Sequence, residues 1–285
     1  TATHDDLPEV DAPVRREPGE ARWVLGDIGG TWSRFSLYGG GQGAAARGRL
    51  RNERFASLGD AIRHFCSENH ARPDGAALAV AGPLEGMRVA FTNRDWQVDV
   101  TTLAGDARVR RVTLVNDFVA NAAAVPGLGP ADWVAVGQAD DRAGVAVVLG
   151  PGTGLGAAAV VPDLDAESAR AGSFSVLASE AGHMTAASRG PDDDRLIEMA
   201  RRQWGRVSWE RLLCGDGLSW LAIRHGASAR GPDAAWVVED AAGGDRACRQ
   251  ALRQFSALLG AFAGDLCLAF RADGGVWLTG GVIDG

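Results

Sequence analysis

The sequence predicts an α/β protein, and three observations carry that prediction. Strand-like and helix-like patterns occur in both halves of the 285 residues. Glycine clusters sit at the carboxyl ends of apolar strand runs, after Arg22–Ile28, after Val145–Leu149 and after Gly275–Thr279. In Asp245–Arg271, the residues Cys248, Leu252, Phe255, Leu259, Phe262 and Leu266 recur at alternating spacings of four and three, which is one apolar face of a long helix.

Taken in order, residues 1–20 are acidic and contain proline, and read as a mobile tail. Arg22–Ile28 is a short apolar strand, and Ser33–Tyr38 alternates as a second, so Gly29 and Gly30 form a hairpin-like turn. A third strand is expected over Gly48–Phe55. Ser57 with Asp60 marks a helix start, and Leu58, Ile62, Phe65 and Cys66 supply its apolar face. Buried strands are expected at Ala76–Ala81 and Val112–Val115, with a shorter strand at Arg88–Thr92. The second half opens with a helix at Phe118–Ala124, a strand at Val145–Leu149, a glycine turn and a strand at Gly156–Val161. Helical segments follow, and Gly275–Thr279 is a buried strand entering Gly280-Gly281. Plain matching finds no internal repeat, although both halves contain a strand–glycine turn–strand unit. Two such units facing each other would make a cleft. The domain expectation is a tail over 1–20, a small α/β domain over 21–115 and a large one over 116–285.

Composition narrows the chemistry. All 29 basic residues are Arg, and the chain contains no Lys. A P-loop needs a Lys that reaches the phosphates, and a protein kinase needs its strand Lys, so both are excluded. Phosphate must then be held by backbone N–H groups, hydroxyls, Arg or a metal. A net charge of -7, with no basic stretch interleaved with aromatics, argues against nucleic acid as partner. No apolar run reaches the length of a membrane span, and residues 1–20 lack a signal pattern, so the expected location is the cytoplasm. Cys66, Cys214, Cys248 and Cys267 are far apart without a C-x-x-C pair, and read as reduced, buried thiols.

Four clusters can carry chemistry. In Gly26–Arg34, glycines after a strand let backbone N–H groups approach a phosphate, and Asp27 could hold Mg²⁺, usually through water. The same turn also suits a plain hairpin. Gly152-Thr153-Gly154 repeats the pattern, with a hydroxyl placed to meet a γ-phosphate. Asn116-Asp117 ends a strand and opens a helix, where α/β ligands collect. Asp117 could accept a hydroxyl proton while Asn116 donates to another hydroxyl, and both residue types also cap helices. Glu180 with His183, and further along Glu210, offer a carboxylate to bridge adjacent sugar hydroxyls and a switchable donor or acceptor.

In order along the chain stand G-D-I-G-G-T-x-x-R (Gly26–Arg34), A-x-A-G-P-L (Ala79–Leu84), T-N-R-D-W (Thr92–Trp96), V-N-D-F (Val115–Phe118), G-T-G-L-G (Gly152–Gly156), E-A-G-H (Glu180–His183), G-R-V-S-x-E-R-L-L-x-G-x-G-L (Gly205–Leu218) and G-G-V-W-L-T-G-G-V (Gly274–Val282). With these blocks, the chain resembles the bacterial-type glucokinase family, within the hexokinase–actin–Hsp70 class of ATP-binding folds. The resemblance runs from Trp23 to Gly285.

The resemblance implies a two-domain actin-like, ribonuclease H-like sugar-kinase fold, with sugar and ATP in the cleft between the domains. The implied activity is ATP-dependent phosphorylation of glucose to glucose 6-phosphate, the first step of glycolysis, with Mg²⁺ and with a homodimer as an open option. By position, Asp117 is the implied general base on the 6-hydroxyl. Asn116, Glu180, His183 and Glu210 bind the other sugar hydroxyls, and Asn93 lines the pocket. Gly29, Gly30, Thr31, Gly152, Thr153 and Gly154 contact phosphates, and Gly280 and Gly281 pass beside the adenosine. Trp32 stands where the family usually has Asn, and Ala181 where it usually has Gly. Family members continue through further strand and helix beyond the position of Gly285, so the large domain is expected to be truncated. The related repressor/sugar-kinase branch is disfavoured, because Met-Thr-Ala-Ala-Ser follows His183 in place of its Cys-rich zinc motif. A kinase for another hexose or amino sugar, and a catalytically silent sugar- or nucleotide-binding regulator, remain alternatives.

Overall fold

The computed structural model describes residues 22–39, 44–80, 88–90, 96–137, 143–163, 173–231 and 233–283. The expected tail and Asn93 lie outside these residues. The chain packs as two units, Thr1–Ala120 and Asn121–Gly285.

The first unit is built on β1 (Trp23–Ile28), β2 (Trp32–Tyr38), β3 (Ala44–Arg51), β4 (Gly75–Val80), β5 (Arg88–Ala90), β6 (Gln97–Asp99) and β7 (Arg111–Asn116). Its main sheet has the order β3-β2-β1-β4-β7. The first three strands are an antiparallel meander, and β4 and β7 join β1 in parallel. Strands β5 and β6 form a separate small hairpin. Alternation decides which face is buried: Val24, Gly26 and Ile28 point inward along β1, while Leu25 and Asp27 face out. Helix α1 (Leu58–Glu68) buries Leu58, Ile62, Phe65 and Cys66, and the Phe65 ring stacks on Phe35 of β2 at 5.5 Å. Ser57 caps this helix as expected, its hydroxyl accepting from Asp60 N at 3.1 Å. Helices α2 (Val100–Ala107) and α3 (Asp117–Ala124) flank β7 in sequence.

The third strand lies over Ala44–Arg51, not Gly48–Phe55, because its pairing with β2 runs from Tyr38↔Ala44 to Trp32↔Arg51 and ends where β2 ends. Asn52–Arg54 then forms a helical turn. Strand β7, expected to be buried, has Arg111 and Thr113 exposed and its other residues half-buried, because among the described residues it is the last strand of its sheet.

The second unit holds β8 (Ala146–Pro151), β9 (Leu155–Pro162), β10 (Phe174–Ser179) and β11 (Val276–Leu278), in the order β10-β9-β8-β11. Again a three-stranded antiparallel meander takes a parallel strand on the free edge of its first member. The four-stranded sheet therefore repeats the order of four of the five strands of the first, β3-β2-β1-β4, which plain sequence matching misses, since a strand order constrains backbone pairing and leaves side-chain identity free. Strand β11 was expected to be buried, but Val276 and Leu278 are 38% and 41% exposed. The described residues place a partner, β8, on one of its edges only.

Helices α4 (Pro191–Trp204), α5 (Trp209–Leu212), α6 (Gly215–Arg224), α7 (Ala235–Ala242) and α8 (Arg246–Phe270) complete the unit. Asp245 caps α8 by accepting from Cys248 N at 2.8 Å. Cys248, Phe255, Leu259, Phe262 and Leu266 are buried in one core with Val147 and Leu149 of β8, and Leu252 packs at its margin. Arg189 and Asp193 form an ion pair at 2.6 Å at the start of α4, and Arg189 Nη1 also donates to Ala257 O of α8 at 2.8 Å. All four cysteines are free thiols. Cys66, Cys214 and Cys248 are buried, and burial pushes Cys66 and Cys248 up to about 11. Among the described residues, no helix is long and apolar enough to cross a membrane.

Candidate active site

In the first unit, the parallel pairing sets Ile28, Val80 and Asn116 level with one another across β1, β4 and β7. The carboxyl ends of β1 and β7 thus share one edge of the sheet, two strand spacings or roughly 10 Å apart. Loops at this edge are where parallel sheets present ligand-binding groups. From β1 comes the turn Gly29-Gly30-Thr31, closed by Gly29 N donating to Trp32 O at 3.0 Å. From β7 comes the Asn116-Asp117 pair.

Asn116 caps α3, and Asp117 is the first residue of that helix. Asn116 Oδ1 accepts from Phe118 N at 2.9 Å and Val119 N at 3.3 Å, and Asp117 Oδ1 accepts from Phe118 N at 2.8 Å. Asp117 is half-buried, and burial raises its proton affinity above the ordinary carboxylate range, against the lowering effect of the Phe118 N–H. The negative charge of Asp27 raises it further. A carboxylate held in this way is a better proton acceptor than a fully solvated one.

Asp27 is exposed and pairs with Arg34 across β1 and β2, Arg34 Nη1 to Asp27 Oδ2 at 2.7 Å. Its second oxygen makes no part of that contact. Magnesium takes oxygen ligands, keeps several waters and needs only one or two carboxylates besides phosphates, so Asp27 with the neighbouring charge of Asp117 suits it chemically. Trp32 packs across the strands, with the guanidinium carbons of Arg49 and Arg51 at 4.0 and 4.8 Å from its ring centre.

In the second unit, β8 runs into the turn Gly152-Thr153-Gly154, with Gly152 N donating to Gly154 O at 2.8 Å and Gly215 N donating to Gly152 O at 2.9 Å. The Thr153 side chain is exposed, as is that of Thr31 in the first unit. Glu210, on α5, reaches this turn: its Oε2 accepts from Leu155 N at 3.1 Å. A Cβ on Gly154 would stand 2.7 Å from that oxygen, so a side chain there would displace the carboxylate. His183 lies between two acids, Nδ1 at 3.7 Å from Glu210 Oε1 and Nε2 at 3.8 Å from Glu180 Oε2. These spacings exceed hydrogen-bond length and leave the polar edges open to a bridging ligand. Arg206 fixes the His183 backbone, donating to its carbonyl at 2.8 Å. Ala181 is buried, so its methyl group packs in the core and stays out of the acid–histidine cluster.

Gly280 and Gly281 also join this group. Thr279 N donates to Leu149 O at 2.9 Å and Val282 N to Pro151 O at 3.1 Å, which ties the glycine pair to the root of the 152–154 turn. Gly280 has φ +102, and a Cβ there would sit 2.6 Å from Pro151 O, so the position demands glycine twice over.

The structure therefore gathers Asp27, Gly29, Gly30, Thr31, Asn116 and Asp117 at one sheet edge of the first unit. It gathers Gly152, Thr153, Gly154, Glu180, His183, Glu210, Gly280 and Gly281 in the second. Sequence reasoning missed Asn52. This residue is 2% exposed, and its side-chain amide donates to Gly29 O at 2.7 Å and Gly30 O at 3.2 Å. Its amide oxygen accepts from Ser33 Oγ at 2.7 Å. It falls in no motif block, and its partners stand about twenty residues away, so only the folded chain reveals it.

The sequence profile of the glucokinase family matches residues 24–284. The glucokinase of Nitrobacter hamburgensis is 37% identical over 268 residues, covering 91% of this chain and 81% of that protein. The glucokinase of a Caulobacter species is 38% identical over 271 residues, covering 91% and 79%. Among solved structures, a glucokinase from an Antarctic psychrotroph superposes with a TM-score of 0.78 at 34% identity, over 92% of this chain and 84% of that one. The glucokinase of Balamuthia mandrillaris, solved in complex with glucose, gives a TM-score of 0.68 at 21% identity, over 92% and 80%, a likeness of fold. The expected two-domain actin-like sugar-kinase fold is thus the one adopted. With a family profile spanning nearly the whole described chain and relatives matched over most of their length, the chain belongs to the glucokinase family.

Proposed function

We propose that this chain transfers the γ-phosphoryl group of ATP to the 6-hydroxyl of glucose, with Asp117 as general base, as the entry step of glycolysis. The observation that carries this reading is the placement of Asp117: a half-buried carboxylate with raised proton affinity, on the same sheet edge as a glycine turn.

Phosphoryl transfer passes through a loose transition state, so the protein's work is mostly positioning and charge neutralisation. Asp117 orients the attacking hydroxyl and takes its proton late, as the new P–O bond forms. Asn116, Glu180, His183 and Glu210 bind the remaining hydroxyls, with Glu210 and Glu180 each able to accept from two and His183 able to donate or accept. Asn93 completes this set by family position. The backbone N–H groups of Gly30, Thr31, Thr153 and Gly154, with the Thr31 and Thr153 hydroxyls, hold phosphate oxygens, while Gly29 and Gly152 close the two turns, which suits a chain with no Lys for that purpose. Gly280 and Gly281 leave room for the nucleoside. Asp27 would hold Mg²⁺ through water, and the ion when bound neutralises charge on the β- and γ-oxygens. The reading puts the protein in the cytoplasm, in keeping with four cysteines spaced far apart in the sequence without a C-x-x-C pair.

The test is an ADP-coupled assay with ATP and a panel of hexoses and amino sugars. Turnover with glucose well above the other sugars supports the reading. A preference for another sugar reassigns the substrate, and glucose binding by calorimetry without turnover would point to a silent regulator.

A further inference from the structure

We infer that Asn52 is the positioning residue that shapes the Gly29–Thr31 turn into an anion-binding nest. This rests on reading that turn as a phosphate site. The backbone N of Asn52 donates to Thr31 O at 3.0 Å, and its side-chain Nδ2 donates to Gly29 O and Gly30 O at 2.7 and 3.2 Å. Three successive carbonyls therefore face one residue. In a trans peptide unit, the carbonyl and the N–H that follows it point in opposite directions. Drawing the Gly29 and Gly30 carbonyls toward Asn52 turns the N–H groups of Gly30 and Thr31 together toward the other side. Among the described residues, neither of these N–H groups donates to a backbone carbonyl in the turn. Two adjacent N–H groups aimed the same way and left open are the elements of a nest for an anionic oxygen.

The orientation of the amide is itself fixed. Only the NH₂ end of the side chain can face two carbonyls, so the oxygen must face elsewhere. It meets the hydroxyl of Ser33, which is fully buried and donates at 2.7 Å. Ser33 follows the turn on β2, and Asn52 follows β3, which pairs with β2, so the ends of these two paired strands hold the amide between them. Water cannot substitute readily at a residue this buried. A side chain with no amide NH₂ would free both carbonyls to rotate, and the two N–H groups with them. A role confined to stability would not single out the nucleotide; a role in shaping the nest must.

The test compares steady-state kinetics of Asn52→Ala, Ser33→Ala and Thr31→Val in the full chain, with KM measured separately for ATP and for glucose. Charge-assisted hydrogen bonds contribute enough that losing the nest in Asn52→Ala should raise KM for ATP about tenfold or more. Ser33→Ala, which only unlocks the amide, should raise it about two- to threefold by the same scale. KM for glucose should hold within about twofold in both, the size of a loss of a few tenths of a kcal/mol. Should Asn52→Ala fail to fold, Ser33→Ala carries the test. Parallel rises in both KM values would mean a merely structural role and overturn the inference. If Thr31→Val raises KM for ATP while Asn52→Ala and Ser33→Ala do not, Asn52 is not the positioning residue and the phosphate reading of the turn stands. If none of the three changes it, that reading fails and the role of Asn52 fails with it.

Discussion

Asp27 and Asp117 stand at the carboxyl ends of β1 and β7 in one sheet, close enough that the charge on Asp27 adds to the effect of burial in raising the proton affinity of Asp117. One acid thus tunes the other. A base must be ionised to work, so activity should fall as pH drops through the raised pKa of Asp117, above the ordinary aspartate value of about 3.9. Asp27→Asn removes one of the raising charges. Its acid limb, normalised to its own plateau, should move to lower pH in a kcat/KM profile. A limb that stays in place would break the link between the two residues.

The same shift makes a statement about stability. A carboxylate whose pKa is higher in the folded state than in the unfolded one favours folding while protonated. That contribution is lost as pH rises through the folded pKa. At neutral pH, ionised Asp117 therefore weighs against the fold. Asp117→Asn keeps the shape and an oxygen to accept from Phe118 N, and it should melt higher than the parent at pH 7. Each kcal/mol corresponds to roughly 2–4 °C in a protein of this size. The gain should shrink as pH falls and vanish once Asp117 is protonated in both states. Melting curves from about pH 3, below the unfolded aspartate value of about 3.9, up to about pH 8 would show it.

Arg189 and Asp193 should matter for stability alone. Asp193 is buried, and the Arg189 guanidinium holds its carboxyl below the usual carboxylate range. Arg189→Met leaves that carboxylate with only the backbone N–H of residue 189 and frees the Ala257 carbonyl, at a cost of roughly 2–3 kcal/mol in urea unfolding. The contribution of Asp193 is present above its unfolded pKa and is lost as pH falls through its lowered folded pKa, so the parent and the variant should converge in acid.

Gly280 and Gly281 separate a required glycine from a tolerant one. Gly280→Ala meets both a positive φ and the Pro151 carbonyl, and should cost roughly 1–3 kcal/mol while raising KM for ATP. Gly281 has open space around its Cβ direction, so Gly281→Ala should unfold like the parent. Equal effects at both positions would contradict the packing described for the 152–154 turn.

Much of this was legible in the sequence because it rests on short-range patterns. Alternating burial in β1, the Ser57 cap and the four–three spacing along α8 each depend on residues within a few positions of one another. The glycine turns announced themselves by lying at strand ends. What the sequence hid depends on distant pairing. Asn52 meets Gly29 and Gly30 only once β3 is set against β2, and Glu210 meets Leu155 N across 55 residues. Trp32 was ambiguous in the sequence; in the fold it is held by Arg49 and Arg51 from the neighbouring strand. The exposure of β7 and β11 does not show in their sequences, because apolar content reports what a strand can bury, whereas its place in the sheet decides what it does bury. The strand order shared by the two sheets shows in the sequence only as the strand–glycine turn–strand unit of each half.

The central claim is tested most directly by Asp117→Ala in the ADP-coupled assay with saturating glucose and ATP, alongside glucose affinity by calorimetry. The loss of a positioned general base should lower kcat by roughly 10²–10⁴-fold while glucose affinity changes modestly. A variant that turns over at near the parent rate, with glucose bound as before, would contradict the assignment of Asp117 as the base.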